Sequence, residues 1–230
     1  MKTFTSRFAF DPDKHLYVGA EREAFFSRQE KILPLGPEII PQLNGHCGYE
    51  LSACQLETRT SPTPLANFPS ALASSDQILA QHELDFNFRA LHQEVAPYDM
   101  PLDVYPDPTG RYQKITKNMP EHILRAACRV AGTHIHIGMG SAEQAIRAYN
   151  RAIQEVPVLC KLGDHSQGER LQIYTVMAPE YIPPAYSDWQ DYERYANEHG
   201  FIQKPRNCWH LIRISIHGTI EFRMFGATAD

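Results

Sequence analysis

The sequence predicts an α+β fold, a mainly antiparallel curved sheet with helices packed on one face. Three observations carry this expectation. Helical and strand-like segments alternate irregularly rather than in the strict βαβ order of parallel sheets. Two apolar runs, 209–217 and 220–225, are separated only by Gly218-Thr219, a hairpin turn that demands antiparallel pairing. Finally, nearly every strand candidate has one oily and one polar face, as antiparallel sheets do.

Taken in order, the strand candidates are 16–26, 49–60, 133–139, 209–217 and 220–225. The helix candidates are 68–95, with Pro69 or Ser70 at its start, then 120–131, 141–161 and 187–198. Ser141 three residues before Gln144 is a capping-box pattern, and Ser187 is the expected N-cap of the last helix. Proline and glycine in PLDVYPDPTG (101–110) and APEYIPPAY (178–186) mark surface loops.

With 230 residues, 43% hydrophobic and 21% charged, the chain supports a sizeable core, and residues 1–230 are expected to form one domain. A formal net charge of -5 argues against nucleic acid as the main partner. The five cysteines form no CxxC pair, so neither a zinc knuckle nor a disulfide framework is indicated. No apolar run reaches the length of a membrane span and the N-terminus lacks a signal-peptide core, so no membrane role and a cytoplasmic location are expected.

Side chains two apart on a strand share a face. Glu21 and Glu23 therefore point together, as do Gln55, Glu57 and Arg59. His134 and His136 oppose Ile135 and Ile137. Arg213, Ser215 and His217 oppose Ile212, Ile214 and Ile216, and Glu221 and Arg223 oppose Ile220, Phe222 and Met224. Arg22 lies opposite its two neighbouring glutamates.

A solvated face is the plain reading of such alternation. The strand candidates nonetheless contain no lysine and concentrate Glu, Arg and His. Carboxylates gathered on one surface repel each other unless cations sit among them. Magnesium, which takes oxygen ligands and bridges to phosphate oxygens, suits that need; manganese is similar. The His134/His136 pair leaves a zinc-dependent hydrolase as the rival chemistry.

The stretches VGAEREAFF, YELSACQLETRTSPTPL, AGTHIHIGMGSAEQAI, MAPEYIPPAYSDWQDYE and WHLIRISIHGTIEFRMF resemble, in order, the carboxylate–amine ligase branch of glutamate–cysteine ligase family 2. More distantly they are similar to glutamine synthetase, whose catalytic domain also uses an antiparallel sheet. The resemblance implies that Glu23, Glu50 and Glu57 hold one metal ion. It implies a second ion on Glu21, His134 and Glu221, bridging the phosphates of ATP. His136 and Arg223 would face the transferred phosphoryl group, and Arg170 and Arg213 would contact substrate carboxylate or phosphate. Arg59, on the same face, joins them as a candidate substrate contact.

The implied reaction is an ATP-dependent ligation of a carboxylate, glutamate or a similar amino acid, to an amine through an acyl phosphate. The partners are therefore small molecules, and a homo-oligomer is an open possibility. The sequence lacks a GxxxxGK[ST] loop, so nucleotide binding would fall to the metals and the sheet. Three departures from the family pattern stand out. Gly226 replaces the acidic residue that commonly follows the E-x-R motif, LCKLGDHSQGERLQ is shorter than the family's loop, and the sequence ends at Asp230. They point to an altered substrate, a required partner chain or, as a third reading, a ligase-derived binding module without turnover.

Overall fold

The computed structural model of the chain describes residues 3–228. Eight strands form one sheet: β1 Val18–Arg28, β2 Lys31–Ile32, β3 Cys47–Tyr49, β4 Gln55–Arg59, β5 Arg89–Leu91, β6 Gly132–Gly138, β7 Ile212–Ser215 and β8 Thr219–Gly226. Between them lie α1 Gly36–Ile39, α2 Phe68–Asp85, α3 Arg111–Thr116, α4 Glu121–Arg129, α5 Ala142–Ala152, α6 Val156–Leu162, α7 Glu169–Met177 and α8 Trp189–Glu198. The main path of the sheet runs β3-β4-β1-β6-β8-β7, with β2 and β5 also paired to β1. Every strand pair is antiparallel, so the α+β expectation holds.

The expected 209–217/220–225 hairpin is β7–β8, joined through Ile216, His217 and Gly218. Gly218 takes φ +70, and a Cβ there would lie 2.2 Å from the carbonyl oxygen of Ala9, so the turn requires glycine. The expected strand 49–60 divides into β3 and β4, because residues 50–54 leave the ladder to bridge Ser52 to Val104.

Helix 68–95 proves too long. The helix ends at Asp85, Asn87 adopts φ +50, and 89–91 pairs with β1 instead. Asparagine tolerates the left-handed region that helix interiors forbid. At the other end, the helix opens at Phe68 with Pro69 in its first two positions and no side-chain cap. Helix 141–161 is interrupted by a 3₁₀ turn at Ile153–Glu155 before Pro157 opens α6, since proline cannot donate the helical bond. Ser141 does cap α5, accepting from the Gln144 amide at 3.2 Å. Asp188 rather than Ser187 caps α8, accepting from the Asp191 amide at 2.8 Å. Helix α7, after Gly168, falls outside the expected helices altogether.

The oily strand face carries the largest core. Ile212, Ile214, Ile220 and Met224 pack with Ala145, Ile146 and Tyr149 of α5 and with Trp189, Tyr192 and Ala196 of α8. A second cluster sets Ala24, Phe26 and Leu56 against Leu79 of α2. Arg22, on this face of β1, pairs with Asp76 of α2 at 2.5 Å, which accounts for its break in the alternation. A third cluster gathers Phe25 with Cys54, Ala96, Met100, Cys128 and Ala131. By alternation Phe25 shares the face of Glu21 and Glu23, so apolar packing bounds the acidic strip at that end. Among the described residues no helix is long and apolar enough to cross a membrane.

Candidate functional site

Strand register decides which polar side chains meet. On β1, Glu21 lies opposite Arg59 of β4 and His134 of β6, and Glu23 lies opposite Glu57. On β8, Glu221 lies opposite His136 and Arg213. The acidic residues and imidazoles of four strands thus share one face. Between the pairs Thr133–Phe225 and Ile135–Phe222, the two residues Arg223 and Met224 oppose the single residue His134, a β-bulge. Such bulges re-aim side chains, and this one falls at Arg223.

His134 is the hub. Its Nδ1 lies 3.6 Å from Glu21 Oε2 and 4.0 Å from Glu221 Oε1, and its Nε2 lies 4.0 Å from Glu23 Oε1. Two sets of three side chains bring ligand atoms within 4.8 Å of one another: Glu21, His134 and Glu221, and Glu23, Glu57 and His134. The first set coincides with one expected trio. In the second, His134 stands where Glu50 was expected. Glu50 sits beside Glu57 without entering the set. His136 belongs to neither set; its Nδ1 is bonded to Thr219 Oγ1 at 2.8 Å, and its Nε2 lies 3.5 Å from Glu21.

The electrostatics show how acidic this surface is. Burial, reinforced by the charges of Glu57 and Glu23, raises the Glu50 carboxyl well above the usual range. Burial and the Glu21 charge push Glu57 up to about 7 despite Arg59 beside it. Glu21 goes the other way, because hydrogen bonds from His134 and His136 outweigh its burial. Burial also opposes ionisation of Glu221, but Arg213 and Arg223 hold its carboxyl well below the normal value. Burial and the nearby Arg223 lower His134, favouring the neutral imidazole.

Each candidate arginine has protein partners. Arg223 Nη1 donates to Glu221 Oε1 at 2.5 Å, leaving its buried Nε without a partner. Arg213 Nε donates to Glu221 Oε2 at 2.7 Å, and its Nη1 bonds the carbonyls of Arg206 and Cys208. Arg59 Nε bonds Glu57 at 2.5 Å and lies 3.9 Å from Glu21. Arg170 is placed differently from the other three. Buried on α7, it donates to the backbone carbonyls of Ala131, Met224 and Arg223 at 3.0, 3.1 and 3.2 Å. It clasps the ends of β6 and β8, its guanidinium where a Cβ on Gly132 would project, a place that period-two reasoning could not have given it.

Other contributors went unread in the sequence. Gly132 donates its backbone N–H to Glu23 Oε2 at 2.6 Å, and Thr219 orients His136. A backbone amide leaves no trace in residue type. Thr219, taken as a turn residue, proves to be the first residue of β8.

The donor sets suit magnesium or manganese better than zinc. Each offers two carboxylates and one imidazole, and the two histidines do not share a set. Burial and the neighbouring carboxylates both raise Glu50 and Glu57, and a cation among them would relieve that repulsion.

The family model described as glutamate-cysteine ligase family 2 matches residues 10–230. A glutamate–cysteine ligase of Natronomonas pharaonis is 29% identical over 82% of this chain and 56% of its own length. One from Haloferax volcanii is 24% identical over 86% of this chain and 59% of its own. The chain thus spans somewhat more than half the length of these relatives.

Proposed function

The chain belongs to glutamate-cysteine ligase family 2, and from that premise we propose that it is an ATP- and magnesium-dependent ligase joining a carboxylate to an amine. The observation that supports this best is the pair of acidic ligand sets meeting at His134 on one sheet face. Glu21, His134 and Glu221 would hold one ion and Glu23 and Glu57 another, with Glu50 beside them. The ions supply charge neutralisation for a triphosphate.

The chain's own residues account for the remaining roles. Amide formation in water is uphill, so the carboxylate must first be activated; transfer of a phosphoryl group from ATP gives an acyl phosphate, which the amine attacks. Catalysis of such a transfer is mainly positioning and charge stabilisation. Arg223 is fixed through Nη1 to Glu221 beside the acidic sets, and its planar guanidinium suits it to donate to oxygen atoms of the moving phosphoryl group. His136 is oriented by Thr219, with its Nε2 3.5 Å from Glu21 on the acidic face, and would serve the same purpose. Arg213 steadies Glu221, and Arg170 acts as a positioning residue through the strand ends it clasps. Glutamate is the carboxylate suggested by the names of the relatives.

The test is ADP release with magnesium, ATP and paired collections of amino acids and amines. Release that requires both a carboxylate and an amine supports the ligase. Stoichiometric zinc with hydrolysis independent of ATP would replace it with the hydrolase, and nucleotide binding without ADP release would make it a binding module.

A further inference from the structure

Resting on the ligase reading above, we propose that Trp209 is the wall against which the carboxylate substrate lays its carbon stem. The chain has two tryptophans. Trp189 is 9% exposed and packs with Phe4, Phe8 and Tyr192, whereas Trp209 is 44% exposed. The guanidinium carbon of Arg223 stands 5.6 Å from the centre of the Trp209 ring. A single exposed apolar side chain is ordinary; one set against the arginine that would meet the phosphoryl group is not.

The backbone fixes the ring in that place. The Trp209 carbonyl accepts from the hydroxyl of Tyr174, a buried core residue of α7, at 2.8 Å. Both neighbours, Cys208 and His210, are buried, so the chain is anchored inward on either side of the indole. The Cys208 carbonyl accepts from Arg213 Nη1 at 2.9 Å, and the Leu211 carbonyl accepts from the Arg223 backbone N–H at 2.8 Å. The stretch before β7 is thus tied to the same two arginines that pair with Glu221.

Sheet order narrows the occupant. Across the sheet run β4, β1, β6, β8 and β7. The acidic sets draw on the first four, Arg223 lies on β8, and Trp209 precedes β7 at the sheet edge. In phosphoryl transfer the leaving and attacking oxygens lie roughly in line. A metal-bound triphosphate follows the carboxylates, which leaves the side toward β7 for the attacking acid. Charge can meet only the reacting carboxylate; the stem behind it needs apolar surface, and a face of Glu, His and Arg offers little. An indole supplies a large flat area with few torsions to freeze. The plain alternative, a cation–π brace for Arg223, predicts a change in turnover and none in acid binding.

The test keeps magnesium and ADP present, so that acids bind without turnover. Acetate, glutarate and glutamate are titrated into the full chain by calorimetry and by tryptophan fluorescence. Glutarate and glutamate should bind more tightly than acetate, since each buried methylene contributes up to about fourfold. They should shift the emission of the wild-type chain but not of Trp209→Phe, in which only buried Trp189 reports. Trp209→Ala should weaken both about tenfold, toward acetate, with magnesium-ADP affinity unchanged; Trp209→Gln carries this arm if Trp209→Ala does not fold. The inference is overturned by no saturable binding of any acid, by affinity independent of the stem, or by an equal emission shift in Trp209→Phe. Wild-type acid affinity in Trp209→Ala overturns it as well, leaving at most a brace for Arg223, and so does a loss of magnesium-ADP binding in its place. Each of these leaves the ligase reading standing. Absence of magnesium-ADP binding in the wild-type chain sinks that reading instead, and glutarate titrated alone then decides the role of Trp209.

Discussion

Glu23 and Gly132, 109 residues apart in sequence, are joined by a 2.6 Å hydrogen bond from the glycine backbone N–H to the glutamate carboxylate. The same glycine makes room for Arg170, whose Nη2 would lie 2.3 Å from a Cβ at that position. One residue thus links a carboxylate of the acidic face to the guanidinium that clasps the sheet end.

Gly132→Ala is accordingly expected to destabilise the fold by about 1–3 kcal/mol, the usual cost of overpacking a tight site. Its thermal midpoint should fall by roughly 2–4 °C for each of those kilocalories. In combination with Arg170→Ala the loss should be smaller than the sum, because both variants relieve or remove the same contact. Strict additivity would count against that contact.

Arg223→Ala should lower turnover by about 10²–10³ while changing ATP affinity only a few-fold, since its proposed role lies in the transition state. Steady-state kinetics alongside nucleotide titration checks this. Equal losses in turnover and affinity would assign Arg223 to ground-state binding instead.

Glu57→Gln and Glu221→Gln should abolish metal-dependent activity, and the rise in thermal midpoint on adding magnesium should shrink or vanish. The two should differ without metal. Glu221 is fully buried between Arg213 and Arg223, so its loss leaves buried guanidinium charge unpaired and costs about 3–5 kcal/mol. Glu57 is crowded by other carboxylates, and removing its charge relieves repulsion even as the contact to half-exposed Arg59 is lost. Metal-free denaturation of both variants should show that contrast; an equal loss would refute it.

Burial lowers His210 to about 4, so the folded chain keeps that imidazole neutral where the unfolded chain protonates it near 6.5. Its contribution to stability is complete above about pH 6.5 and is lost as pH falls through 6.5 toward 4, amounting to up to about 3 kcal/mol. His210→Gln should flatten denaturation midpoints across that window. A slope identical to wild type would show that His210 is not responsible, leaving His82, His92, His134 and His217, also lowered by burial, as sources.

Much of the site was legible because a strand has an exact period of two, so Glu21/Glu23, His134/His136 and Glu221/Arg223 had to share faces whatever their partners. Pairing is a different matter. That Glu21 meets both Arg59 and His134, or that a bulge falls at Arg223–Met224, depends on register, which residue type does not encode. Glu50 illustrates the limit: it lies on the loop between β3 and β4, where alternation lapses, and Glu57 joins His134 rather than Glu50 in the second set. Strand β5 was hidden for a related reason. The apolar spacing of 68–95 reads as one helix, and only the left-handed Asn87 shows that the chain turns to run back along β1.

A neutral imidazole carries one lone pair and one N–H, and the two nitrogens of His134 face different carboxylates. With the proton on Nε2, Nδ1 is a base toward Glu21 and Glu221 while Glu23 receives a donor; with the proton on Nδ1, the arrangement reverses. If both acidic trios hold ions as proposed, they compete for a single electron pair, and the tautomer of one ring sets which is complete.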